Sequence, residues 1–204
     1  MIDQFKNAVL RFNKTILSEL KESGINCWIA GGSLRDYFLG NIIKTDYDLF
    51  FPNLNEYKKA QSFFKTKKAK VKYESNNGMK VIYNNKTFDL VKIFFANPKE
   101  TIDNFDFTVS MIAIDNEDVH YGETTFIDLA KKQLMINKIT YPASTLKRAF
   151  RYYSKGFSIC LSEMKKLIEA IQKMPKKVKT EKKLIKNFND EADLSGNDFF
   201  KGID

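Results

Sequence analysis

Apolar residues recur at Ile2, Phe5, Val9, Phe12, Ile16 and Leu20, and the stripe stops at Ser23-Gly24. This spacing predicts an opening amphipathic helix whose apolar face packs on a core. A short apolar run over 25–30 then meets Gly31-Gly32 and the segment SLRDYFLG. Strand, glycine turn and a short helix with a Ser cap and a terminal Gly40 are expected there. Residues 47–51 read as a strand ended by Pro52, and 55–67 as a helix. Three runs of β character follow, AKVKYES, MKVIYN and KTFDLVKIF, separated by Asn-Asn-Gly and Asn-Asn-Lys. These separators suit tight hairpins, so a mixed or antiparallel sheet is implied. A short helix near 98–104, a strand-like FTVSMIAID and a helix near 126–134 complete the pattern of a first domain.

After Tyr141-Pro142 the apolar positions Leu146, Phe150, Tyr153, Ile159, Met164, Leu167, Ile168 and Ile171 change to helical spacing. From Pro175 the chain is Lys-rich, then acidic and Gly-containing, a composition suited to a partly ordered tail. The expected organisation is an α/β domain with a mixed β-sheet over 1–140, a helical segment over 141–174 and a tail over 175–204. A chain of 204 residues can bury one sizeable core and a smaller helical one.

Composition narrows the chemistry. Thirty-four Lys and Arg against 25 Asp and Glu give a formal charge of +9, which favours polyanionic partners. Almost all of this charge is Lys; the arginines are Arg11, Arg35, Arg148 and Arg151, so an Arg inside a motif is not there by abundance. The single histidine, His120 in DVHYG, excludes a multi-histidine zinc site and reads as a surface turn residue. Cys27 and Cys160 lie far apart without metal-ligand spacing, the N-terminus lacks the order of a signal peptide, and no apolar run approaches bilayer length. A cytoplasmic protein without membrane partners is expected.

The chemistry concentrates in Ala30-Gly31-Gly32-Ser33-Leu34-Arg35-Asp36 and in Asp46-Tyr47-Asp48. Gly31 and Gly32 let backbone approach phosphate oxygens, while Ser33 and the amides of the following helix can donate to them. Arg35 would add a charge-assisted contact or orient Asp36. In a strand the period of two places Asp46 and Asp48 on one face and Tyr47 on the other, where the carboxylates can hold two divalent ions. Asp89, an acid among the apolar neighbours Phe88, Leu90 and Val91, is the candidate third carboxylate, its ordinary alternative being an ion pair with Lys86 or Lys92. Taken singly each element is an ordinary turn, strand edge or ion pair; their order is not ordinary.

The run GGSLRDYFLGNIIKTDYDLFF resembles the Gly-Gly-x-x-Arg-Asp and Asp-x-Asp motifs of class II CCA-adding enzymes and bacterial poly(A) polymerases. It also suits the palm sheet of the wider nucleotidyltransferase superfamily. Asp106 to Met111 is similar to that family's segment that helps hold the incoming nucleotide. Pro142 and the Leu146 to Tyr152 run with Gly156-Phe157 look like the helix leading into its neck. The resemblance covers about residues 25–157. It implies a polymerase β-like palm with a short helical neck, Mg²⁺ at Asp46, Asp48 and Asp89, and transfer of NMP from an NTP such as ATP to an acceptor hydroxyl. An RNA 3′ end, tRNA-like, is the preferred acceptor; a small molecule or protein acceptor and a silent binding module are the alternatives. Gly31, Gly32, Ser33, Arg35, Asp36 and Asp106 are the implied nucleotide contacts, with Arg148 and Arg151 sharing a helix face for phosphate or acceptor RNA. Lys173, Lys176, Lys177 and Lys179 form a cluster suited to a nucleic-acid backbone. Asn104-Phe105 and Ser110 stand where the family often has two arginines and Asn, and its Glu-Asp-x-x-Arg segment has no counterpart here. CCA synthesis is therefore not implied.

Overall fold

The first apolar stripe folds as helix throughout, but not as one regular helix. A computed structural model, describing residues 2–43, 45–75 and 78–174, shows α1 (Ile2–Phe12), a π-helical turn at Asn13–Leu17 and α2 (Ser18–Glu22) in succession. The wide turn brings Thr15, Ile16 and Leu17 inside together, which regular α-helical periodicity would not do. Its first residue, Asn13, donates through Nδ2 to the Asn116 carbonyl and accepts at Oδ1 from Asn116 Nδ2, in the turn between residues 114 and 119.

The remaining elements follow in order: β1 (Trp28–Ala30), α3 (Gly32–Phe38), β2 (Tyr47–Phe51), α4 (Leu54–Thr66), β3 (Lys70–Ser75), β4 (Gly78–Tyr83), β5 (Lys86–Phe94), α5 (Pro98–Asp103), β6 (Ile112–Ile114), β7 (Val119–Tyr121), α6 (Thr125–Lys131), β8 (Gln133–Leu134), α7 (Pro142–Ser154), β9 (Ser158–Ile159) and α8 (Leu161–Gln172). Seven strands form one mixed sheet in the order β3-β4-β5-β2-β1-β6-β7. Within this sheet only β2 and β5 pair in parallel; β8 and β9 form a separate parallel pair. The turn between β4 and β5 is Asn84-Asn85, both left-handed with φ of 49° and 58°, the conformation of a two-residue hairpin that Asn tolerates.

Alternation along the strands separates two faces. Tyr47, Leu49, Phe51, Phe88, Leu90, Met79 and Val81 meet Phe12, Ile16, Tyr57 and Phe64 of the covering helices in the main core. On the opposite face Trp28, Ala30, Phe50, Val91 and Ala113 pack on Ile102 and Phe105 in a second cluster. Ala149, Tyr152 and Phe157 join the main core, so α7 is packed onto the sheet domain.

Three local expectations are corrected. The segment 107–115 is not one strand: Thr108–Ser110 is a 3-10 turn and only Ile112–Ile114 is extended. Thr108 bonds Asp128 through its hydroxyl and Met135 through its amide, and Ser110 bonds Tyr152; these partners on other elements override β propensity. The helix expected near 126–134 ends at Lys131, because Lys132 turns left-handed (φ 50°) and Gln133–Leu134 pairs with β9. His120 lies in edge strand β7 with Nε2 2.8 Å from Asp115 Oδ2, not in a turn. Among the described residues no helix is long and apolar enough to cross a membrane.

Candidate active site

The site begins where β1 ends. Gly31 sits at φ 89°, ψ −133°, a left-handed conformation that strains any residue with a Cβ, and its carbonyl accepts from the amides of Leu34 and Arg35. The helix therefore starts on Gly31, and Ser33, the residue expected to cap it, lies inside the first turn. Ser33 Oγ is fully buried and has no hydrogen-bond partner among the described residues. Leaving a buried hydroxyl unpaired costs about 1–3 kcal/mol, so its presence at the mouth of this turn fits a ligand with acceptor oxygens.

Strand register carries the turn to the carboxylates. Ala30 lies opposite Asp48, Asp48 lies beside Asp89 on the parallel strand, and Asp89 lies opposite Lys80. One row across four strands thus reads Ala30, Asp48, Asp89, Lys80. Asp46 precedes β2 by one residue and falls on the same face as Asp48. Tyr47 points the other way, into the core beside Phe12 and Phe88.

Lys80 is the residue that sequence reading passed over. Its ammonium lies 2.7 Å from Asp46 Oδ2 and 3.1 Å from Asp89 Oδ2. Asp89 therefore pairs with Lys80, not with Lys86 or Lys92. The signal was present: a two-residue turn at Asn84-Asn85 pairs Tyr83 with Lys86, and counting three residues back along each strand reaches Lys80 and Asp89. Burial pushes the Asp89 carboxyl up to about 6, with the nearby Asp46 charge adding to it against the attraction of Lys80. Burial pulls Lys80 down, but the hydrogen bond to Asp46 and the charges of Asp89 and Asp46 outweigh it and hold the ammonium above its ordinary value.

The carboxylates are the hard oxygen ligands that Mg²⁺ takes. Asp48, 3% exposed, and Asp89 stand side by side on parallel strands for such an ion, while Asp46 and Asp89 both contact Lys80. Among the described residues no three His, Cys, Asp or Glu side chains converge as a metal cluster. Chemistry and register fit a divalent ion at the Asp48–Asp89 pair, with Lys80 included in the charge balance.

The arginines do something different from reaching outward. Arg35, 0% exposed, donates through Nε and Nη2 to Asp36 Oδ1 and through Nη1 to the Tyr152 hydroxyl at 2.9 Å. The Tyr152 hydroxyl in turn meets Ser110 Oγ. Arg148, also buried, is bonded to Asp106 Oδ2, which accepts from Thr145 Oγ1 at 2.9 Å as well. Arg35 with Tyr152 and Asp106 with Arg148 thus form two ties between the sheet domain and α7, Asp36 holding the Arg35 guanidinium. Arg151, three residues on from Arg148 along α7, is half-buried where Arg148 is buried. Lys173 is exposed at the end of α8; Lys176, Lys177 and Lys179 lie outside the described residues. Asn104 and Phe105 are taken up by the fold, the first bonding the Glu100 carbonyl and the second buried against Phe50.

The profile described as Gad2: Gabija anti-defense 2 family protein matches residues 3–132. The chain belongs to this family. The Gad2 match takes in the glycine turn, Asp46, Asp48, Lys80 and Asp89, and stops before α7 with Arg148 and Arg151. No curated protein sequence matches the chain. Among solved structures, this Gad2 family member is similar to a tRNA-processing enzyme in its apo form (TM-score 0.62, 18% identity, 90% of this chain and 57% of that one). It is also similar to the Bacillus stearothermophilus CCA-adding enzyme in complex with CTP (TM-score 0.61, 20% identity, 78% and 42%). A third is the Thermotoga maritima CCA-adding enzyme complexed with tRNA (TM-score 0.60, 18% identity, 81% and 42%). The mixed α/β sheet of the Gad2 chain is thus the fold of CCA-adding enzyme heads. The chain spans about half the length of the solved structures it matches.

Proposed function

We propose that this chain is a nucleotidyltransferase that moves NMP from an NTP to an acceptor hydroxyl. The acceptor oxygen bonds to the α-phosphorus, the bond to the α–β bridging oxygen breaks, pyrophosphate leaves, and the hydroxyl proton passes to solvent or a base. The observation that carries this reading is the row Ala30–Asp48–Asp89 leading from the Gly31-Gly32 turn to paired carboxylates, Asp48 buried and Asp89 partly so. The turn, with Ser33 Oγ unpartnered inside it, receives the triphosphate. Asp48 and Asp89, with Asp46 beside them, would hold Mg²⁺, which when bound neutralises charge developing on the phosphates. A carboxyl raised to about 6 by burial works against folding at neutral pH, and such perturbed groups concentrate at functional sites. Arg35, oriented by Asp36 and bonded to Tyr152, and Arg148 with Asp106 act as positioning groups: they fix α3 and the segment before the 3-10 turn against α7, so that the turn and the carboxylates keep their spacing.

RNA is the preferred acceptor, because the chain carries +9 and the similar solved proteins include one complexed with tRNA. The family description favours a second reading, in which transfer counters the Gabija defence and the acceptor is a component of that defence. The test is incubation of the full chain with Mg²⁺ and each α-labelled NTP, with total RNA in one set and purified Gabija proteins in another, the Asp48→Ala variant running alongside. Label entering RNA only with the unmutated chain supports the first reading, and label entering a Gabija protein supports the second. No label in either set sinks transfer to both acceptor classes.

A further inference from the structure

The carboxylate cluster already contains a cation. Lys80 Nζ contacts oxygens of two different acids, Asp46 at 2.7 Å and Asp89 at 3.1 Å, and lies in strand register beside Asp89. It is a half-buried lysine (26% side-chain exposure) held in β4 between β3 and β5, not a surface side chain that happens to swing near. Resting on the function proposed above, we propose that Lys80 takes by covalent tether one of the two cation seats of the cluster, so that the site accepts one divalent ion with a nucleoside triphosphate rather than two.

Charge counting leads to the same place. Before a nucleotide enters with its own charge, Asp46, Asp48 and Asp89 carry three negative charges and Lys80 returns one positive charge, leaving two, which a single divalent ion neutralises. A second divalent ion would need the Asp46 and Asp89 oxygens that the ammonium holds, and would sit against a fixed positive charge. Both costs disfavour it. Mg²⁺ also keeps near-octahedral geometry and gives up water reluctantly, so it competes poorly for oxygens already bound.

The test counts ions. Mn²⁺ is titrated into the full chain carrying one equivalent of a non-hydrolysable ATP analogue, and bound Mn²⁺ is read by electron paramagnetic resonance together with the spin coupling that two close ions produce. The wild-type chain is expected to bind one Mn²⁺ without coupling. Lys80→Met is expected to bind two with coupling, and Lys80→Arg one. Thermal melting of each variant checks that it is folded, and Lys80→Gln, which keeps polarity without charge, substitutes should Lys80→Met fail to fold. Two coupled ions in the wild type, or one ion in both uncharged variants, overturns the role of Lys80 while leaving the metal-dependent reading standing. No Mn²⁺ in any variant overturns metal binding itself and both proposals with it.

Discussion

Strands β2 and β5 carry two faces one residue apart. On the helix side, Tyr47, Leu49, Phe51, Phe88 and Leu90 are buried among aromatic rings, with Tyr47 and Phe88 centroids 5.4 Å apart. On the other side Phe50 and Val91 are buried under α5, but Asp48 and Asp89, two residues earlier on the same strands, are not packed by apolar side chains alone. Ordinary burial pressure shapes the first face completely and the second only halfway. The contrast teaches where the fold spends stability: the aromatic face supplies the rigidity that lets like charges stand side by side on its reverse.

Substitutions can set one face against the other. The largest effect is expected from Asp48→Ala, which should lower transfer by about a thousandfold, the scale of several kcal/mol of charge stabilisation. Its melting temperature should not fall, because one repulsive carboxylate is gone; a rate within tenfold of wild type would remove Asp48 from the chemistry. Phe88→Ala, next to Asp89 in the chain and on the opposite face, should instead cost about 3–5 kcal/mol of stability through the cavity it opens, read by chemical denaturation. An intact fold with that side chain gone would mean that the aromatic face is not what holds the row in place.

A smaller effect is expected from Tyr152→Phe. It removes the hydroxyl shared by Arg35 and Ser110 and should cost about 1–3 kcal/mol through the partners left unpaired. If α7 positions the glycine turn, this variant should also raise KM for NTP; an unchanged KM with lowered stability would reduce the tie to a purely structural one. The smallest effect is in pH. The Asp89 carboxyl stands at about 6 in the folded chain, above the unfolded value of about 3.9, so between those values the folded state binds more protons and stability rises as pH falls. Relative to Asp89→Asn, the wild type should gain melting temperature between pH 7 and pH 5. A loss over that interval would mean that the bond to Lys80 outweighs burial.

Much of this was legible in the chain beforehand, and the illegible part has a common cause. β5 was read from its composition with both ends in place, Lys86–Phe94, because β-branched and aromatic residues between the Asn84-Asn85 pair and Asn97-Pro98 leave little choice. The glycine turn and the two-residue alternation of Asp46, Tyr47 and Asp48 were equally local signals. What escaped were contacts between residues far apart in sequence: Arg35 with Tyr152 and Asp106 with Arg148. These turn residues read as outward-facing phosphate ligands into buried ties. The 3-10 turn at Thr108–Ser110 was missed for the same reason, since hydroxyl partners on α6 and α7 decide its conformation. The π turn at Asn13–Leu17 preserves the overall apolar stripe and so leaves no mark on a periodicity count.

The hairpin at Asn84-Asn85 acts as a measuring device for the site. Because its two residues fix Tyr83 opposite Lys86, they also fix which side chain of β4 arrives beside Asp89. One residue added to that turn without a compensating bulge would shift the pairing by a position and turn the lysine toward the helices, since each step along a strand reverses the side chain's face. Such a chain would keep every acid, glycine and arginine of the site unchanged and still lose its ammonium, so loop length at 84–85 belongs to the description of the site as much as any residue in it.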